Sequence, residues 1–405
     1  DYELGDEEVT ILKNTRSLNN VTPIIRPTSN SNGIKISGMD FDFGTKLVTV
    51  TLGATFTTLS DFPFEVGKKV MIESVIIGAK RSPIGIKNGK MVGIRPDDLA
   101  SQVVRGLLEK TKVEPSHVND LVLGCAFPEG PQGMLMATGV AILSGLPETV
   151  GGSVVNRFCG SSMDAVHQIS SRIETGDIEM GIAVGVEDMF SVPMGGFNPD
   201  FHPELAEQEY YIGMGETAEI LAKEGSISRD EQEEFAIKSH EKALDAWENG
   251  RFDDEVMPTD MYGEYIIDKD EGPRVPDLEK IKSLSPAFME NGTITAATSS
   301  PVSIGASAIL ITSRTYAEKN SIQIKAAIKG RSIVGVDWRR MGMGPLPATK
   351  NVLKSLDMTI NDIDVIELNE AFSAQALYVI KRGGWDASKI NLNGGAIAPV
   401  SYTHL

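Results

Sequence analysis

Cysteine is almost absent from this chain: Cys125 and Cys159 are the two in 405 residues. So few exclude a disulfide framework and point to a reducing, cytoplasmic compartment. Positive charge is also short, with 38 Lys and Arg against 56 Asp and Glu and a net charge of -18. That balance argues against a nucleic-acid surface, and an anionic ligand would need a locally basic pocket. No apolar run approaches the ~20 residues of a membrane span, and the acidic start Asp1-Tyr2-Glu3 lacks a signal-peptide layout, so a soluble chain with no membrane partner is expected. No metal is expected either.

What is present is ordinary globular composition, 41% hydrophobic and 23% charged, over a length that predicts two or three domains. Residues 1–70 read as a small β-rich extension, with alternating Leu47, Val48, Val50, Leu52 and Phe56 and turns near Gly44 and Pro63. From Met71 the pattern changes to a buried-strand run at Ser74–Ala79, then a helix from Asp97 with Leu99, Val103, Val104, Leu107 and Leu108 on one face. Apolar runs at Met180–Val186, Ala306–Thr312 and Asp364–Leu368 continue the alternation of an α/β fold. Residues 191–284, rich in Gly, Pro, acidic and aromatic residues, read as an inserted loop domain. It carries one clear helix, opened by a Ser228 to Glu231 capping box and ended at Gly250.

Val113–Phe127 aligns without gaps to Met358–Phe372, pairing Val118 with Ile363, Leu121 with Ile366 and Leu123 with Leu368. Duplication is the favoured reading, and shared packing needs of two βα units are the alternative. Two similar halves would face each other with a site between them. One residue suits such a site: Cys159, in Asn156-Arg157-Phe158-Cys159-Gly160-Ser161-Ser162-Met163, lies between the apolar Val154-Val155 and the opening of a helix. There the unpaired N–H groups and positive end of the helix favour thiolate. The competing reading is a small buried hydrophobe, the only one that Cys125 invites.

Five stretches in order resemble the thiolase family, within it the bacterial 3-ketoacyl-CoA thiolase type: Arg81–Gly85, Val155–Met163, Gly196–Pro199, Met214–Glu219 and Leu368–Phe372. The resemblance spans residues 71 to 398. It implies duplicated βαβαβαββ halves: the first at 71–190 and 285–318, the loop domain 191–284, and a partial second half at 319–398. It also implies an acyltransferase that cleaves 3-ketoacyl-CoA, with acetoacetyl-CoA thiolase as the neighbouring activity and a non-catalytic CoA- or lipid-binding protein as the third reading. Cys159 would accept the acyl group. Asn369 would hold an oxyanion-hole water, against a local reading as helix N-cap; Phe372 would line the pantetheine tunnel. Ser300 would contact pantetheine, Met214 would border the acyl pocket, and Arg274, less surely Lys280 and Lys282, would meet CoA phosphates. CoA enters as substrate, no cofactor is implied, and homodimers or homotetramers are.

The chain departs from the family at Ile304, usually Asp, at Ala297, usually Gly, and at Gly213, where short-chain enzymes often carry histidine. After Asn391–Ala398 the family's Gly-His-Pro and second catalytic cysteine do not follow. His167, eight residues or about 12 Å along a helix from Cys159, is no substitute; His117 and His240 read as solvated and His202 as part of the insertion. Val400–Leu405 reads as the translation of a common sequencing adapter, so His404 is set aside and native sequence is expected to end at Ala398. By the same reading Met71 is the expected family start, and little turnover is predicted for these 405 residues.

Overall fold

Strand-forming residues fall in two parts of the chain, which divides into compact units Asp1–Met71 and Ile72–Leu405. The computed structural model describes residues 72–399 in full and, within 1–71, the backbone of five strands. These are β1 (Asp6–Ile11), β2 (Ile24–Pro27), β3 (Ile36–Asp42), β4 (Leu47–Gly53) and β5 (Phe64–Gly67). β4 pairs antiparallel with β1 and β3, and β2 with β5. Phe56, Gly44 and Pro63 lie outside the described residues, as do residues 400–405 with His404.

In the second unit β6 (Ser74–Arg81) and β7 (Gly85–Ile86) lead into α1 (Pro96–Thr111), which starts one residue before the expected Asp97, on a proline that suits a helix's first turn. Then come β8 (Asp120–Gly124), α2 (Met136–Leu143), β9 (Gly151–Val155), α3 (Ser161–Thr175) and β10 (Met180–Asp188). The chain next makes α4 (Pro203–Glu207), α5 (Met214–Glu224), α6 (Arg229–Glu248), the short pair β11 (Thr259–Asp260) and β12 (Ile266–Ile267), and α7 (Leu278–Ser283). It returns through β13 (Ser303–Ser313), α8 (Arg314–Lys319) and β14 (Ala326–Ala327), and ends with α9 (Pro345–Ser355) and α10 (Ser373–Gly383).

One mixed sheet runs in the order β14-β6-β13-β10-β8-β9, with β7 also on β13. β8 is parallel to both β9 and β10, while β13 is antiparallel to β10 and β6. Both faces are covered, which is why these strands read as continuous apolar runs rather than alternating ones. Leu121 and Leu123 of β8, with Ile182 and Val184 of β10, pack on the α1 side, whereas Val122, Ala183 and Ile311 meet Ala165, Ile169 and Ile173 of α3. Each such large side chain stabilises the sheet by about 1.5–3 kcal/mol.

The insertion holds more helix than its composition suggests, for α5 forms over the Met214–Glu219 motif. The Glu216 carboxylate accepts the Gly213 N–H at 3.1 Å and so caps its first turn. α6 starts as expected, with Ser228 and Glu231 in a reciprocal capping box. Arg81 ties the insertion to the sheet: its guanidinium grips the Asp270 carboxylate, which has no exposure, at 2.7 and 3.0 Å and Glu255 at 2.7 Å, and lies over the Phe252 ring.

The aligned repeat segments share a 3-10 turn. His117 N–H bonds Glu114 O and Val118 N–H bonds Pro115 O in the first, Asp362 to Thr359 and Ile363 to Ile360 in the second. The strand expected at Asp364–Leu368 is not a full ladder among the described residues. Ile366 makes an isolated parallel bridge to Ile390, and a segment paired at a single point earns no strand.

Candidate active site

Cys159 sits in the turn between the end of β9 and the start of α3, within a 3-10 turn at Phe158–Gly160. Phe158 takes a φ of +44°, the left-handed region, a conformation that costs a bulky residue about 1–3 kcal/mol and persists only when its surroundings enforce it. They do. The Asn156 Oδ1 accepts the Phe158 N–H at 2.8 Å, and the Ser161 hydroxyl accepts the Arg157 N–H at 2.9 Å while donating to Phe158 O at 2.6 Å. The neighbouring strand must come close: a Cβ on Gly124 of β8 would stand 2.3 Å from the Ser161 carbonyl carbon.

The helix end does not by itself produce a thiolate. Burial pushes the Cys159 thiol up to about 11, with the Glu187 charge adding to the rise and a backbone hydrogen bond opposing it. No histidine among the described residues hydrogen-bonds it. His117 pairs with the Tyr316 hydroxyl at 2.7 Å, and the lowered pKa of half-buried His167 is due first to burial. His240, expected in solvent, is buried on α6 with its Nδ1 unpartnered; burial first, then Arg274, lowers it to about 4. Cys125 is core, as its setting suggested, fully buried with Sγ 3.8 Å from the Glu187 carboxylate.

Three of the other candidates converge. The Ser300 N–H bonds Ala371 O at 2.9 Å, and Ser299 bridges Phe372, so the Ser300 turn and the Phe372 segment lie side by side. Phe288 stands edge-on to Phe372 at 5.5 Å and presses on Gly215, where any Cβ would meet the ring at 2.1 Å. Met214, next to Gly215, is 40% exposed and so is not a core methionine. Asn369 is exposed and does not cap α10, whose first residue is Ser373 with Phe372 at the N-cap. Its neighbour Glu370 is buried and accepts bonds from Ser239, Asn391 and the Ile397 N–H, which pins the Asn391–Ala398 loop. Arg274 is exposed. Ile304 is fully buried in β13, opposite Asp188 and Gly85, a place that suits an apolar side chain.

Sequence reasoning overlooked Phe288, Asn156 and Glu187. Asn156 stood inside the stretch that drew attention to Cys159, but its partner Ala126 is 30 residues away, and Glu187 lies one residue beyond the run Met180–Val186, which reads only as strand.

The structure is an α/β unit with a strained, thiol-bearing turn between strand and helix, a position that suits a nucleophile. Residues 74–315 match the thiolase N-terminal domain and residues 322–400 the thiolase C-terminal domain, and the chain belongs to the thiolase family of enzymes. It is 38% identical over 344 residues to a 3-ketoacyl-CoA thiolase of Bacillus subtilis, covering 81% of this chain and 88% of that one. A 3-ketoacyl-CoA thiolase of Vibrio vulnificus is 43% identical over 337 residues, 80% and 87% of the two chains. Among solved structures, the Bacillus anthracis acetyl-CoA acetyltransferase superposes with a TM-score of 0.77 at 34% identity, over 83% of this chain and 89% of that one. Human mitochondrial 3-ketoacyl-CoA thiolase in complex with CoA superposes at 0.75 and 30%, over 81% and 87%.

Proposed function

We propose that this chain is an acyltransferase of the 3-ketoacyl-CoA thiolase type, working in the cytoplasm on acyl chains under degradation. The observation that carries the reading is Cys159 on its strained turn, in a chain 38% and 43% identical to two 3-ketoacyl-CoA thiolases. The Cys159 sulfur attacks the 3-keto carbon; the bond between carbons 2 and 3 breaks; the electron pair leaves as the enolate of acetyl-CoA, which takes up a proton. The thiol of a second CoA then attacks the Cys159 thioester, and the shortened acyl-CoA departs as cysteine regains its proton. In reverse the sequence is a Claisen condensation. Ser300 and Phe372 flank the pantetheine arm, with Met214 at the acyl end, Arg274 toward the CoA phosphates and Asn369 holding a water against the oxyanion. CoA is a substrate and no cofactor is required.

A thiol held at about 11 needs a base to reach thiolate, and slow turnover is expected from these 405 residues. Thiolysis of acetoacetyl-CoA and of a longer 3-ketoacyl-CoA, followed by loss of the magnesium-enolate absorbance, tests the reading. Acyl-Cys159 formed from the longer substrate supports it; acylation by acetoacetyl-CoA alone favours acetyl-CoA acetyltransferase, and acylation by neither defeats both.

The thiolase-like assembly is a homodimer or homotetramer. Its support is the sheet edge: β9 ends the strand order, α2 packs on it, and Leu135, Ile142 and Leu143 are 53%, 66% and 45% exposed beside it. A free strand edge with exposed apolar side chains is stabilised by pairing with another chain.

A further inference from the structure

We infer that Asn156 is a positioning residue for Cys159, and that it works from an anchor, the buried carboxylate Glu187, through the Ala126 backbone. The inference rests on the proposed role of Cys159 as acyl acceptor.

The chain of contacts is short and fully buried at its base. Glu187, at the end of β10, has no exposure, and among the described residues no lysine or arginine pairs with it. Its oxygens instead accept the Ala126 N–H at 2.6 Å and the Gln132 side-chain amide at 2.8 Å, while the Gln132 oxygen accepts the Asp188 N–H at 2.6 Å. A carboxylate without a cation is a costly way to fix a core. What it fixes is one peptide, Ala126, immediately after β8. The Ala126 carbonyl accepts the Asn156 amide at 2.8 Å, and the Asn156 oxygen accepts the Phe158 N–H at 2.8 Å. Asn156 therefore spends both ends of its amide in joining the anchored peptide to the one residue of the turn with positive φ. Cys159 follows that residue directly. Aspartate would keep the acceptor and lose the donor, and alanine would lose both.

The test uses the full chain and the variants Asn156→Ala, Asn156→Asp and Glu187→Gln. Each is treated with iodoacetamide across pH 7 to 10, with adducts at Cys159 and Cys125 read separately by peptide mass spectrometry and the melting temperature measured alongside. A freed turn lets Cys159 out of its half-buried place. Its alkylation at fixed pH is expected to rise about tenfold in Asn156→Ala, because a thiol let out of burial is more accessible and a recovery of about one pKa unit multiplies its thiolate fraction about tenfold. Glu187→Gln should move the same way by less, and Asn156→Asp should lie between alanine and wild type. Cys125 should stay unlabelled throughout. Superimposable Cys159 profiles in wild type, Asn156→Ala and Glu187→Gln overturn the inference, and so does a rise that appears equally at Cys125 with a fallen melting temperature. In a second arm, acyl-Cys159 formation from acetoacetyl-CoA should drop about tenfold or more in Asn156→Ala. If wild type forms no acyl-enzyme, the functional reading fails while the alkylation arm still decides the placement of the turn.

Discussion

A thiol pushed to about 11 is ionised to only about one part in ten thousand at pH 7, so Cys159 rests as the neutral thiol. Its alkylation is expected to climb about tenfold per pH unit up to about pH 10; a plateau near pH 8 would show a nearby base at work. Cys159→Ser should abolish acyl-enzyme formation, a loss of about a thousandfold or more, read by intact mass. His240 carries a different prediction. Buried on α6 and lowered to about 4, it stays neutral in the fold where the unfolded chain, near 6.5, already takes up a proton. Stability from this group is therefore present above pH 6.5 and falls as pH drops toward 4, by up to about 3 kcal/mol. His240→Asn should flatten that stretch of the urea-denaturation midpoint against pH. The sequence flagged Cys159 from its small neighbours but misread His240, because polar residues on either side in the chain say nothing of the face that a helix buries.

Among the elements, the junction between the end of β6 and the insertion is held by a buried ion pair. Arg81 meets Asp270, whose side chain has no exposure, and Trp247 donates to the same carboxylate at 3.1 Å. Arg81→Ala leaves that charge buried and unpaired, and a loss of about 3–5 kcal/mol is expected as a lower urea midpoint. Arg81→Lys should recover only part of it, since an ammonium cannot make the two-pronged contact. Local pattern made α1, α3, α6 and the sheet strands readable, because both faces of a covered sheet demand long apolar runs and because capping residues mark helix starts. It made Asp364–Leu368 look like a strand equally well. There the structure records a single bridge, since a ladder depends on neighbours that pattern does not supply.

Taken as a whole molecule, the described unit leaves Leu135, Ile142 and Leu143 exposed on and beside α2, which packs on the edge strand β9. Ile142→Asp on α2 is expected to shift the population toward a smaller species by light scattering, with little change in melting temperature, and an unchanged mass would remove that edge from the assembly. The sequence by itself determined the α/β class, the family, the cysteine turn and the order of its motifs, because these rest on residue type, spacing and periodicity along the chain. Tertiary structure decided the rest. It set Phe288 against Phe372, laid the Ser300 turn beside Ala371, buried Glu187 against the Ala126 peptide and raised the Cys159 thiol. Each of those depends on which segments distant in sequence the fold brings side by side, and that proximity exists only once the chain has packed.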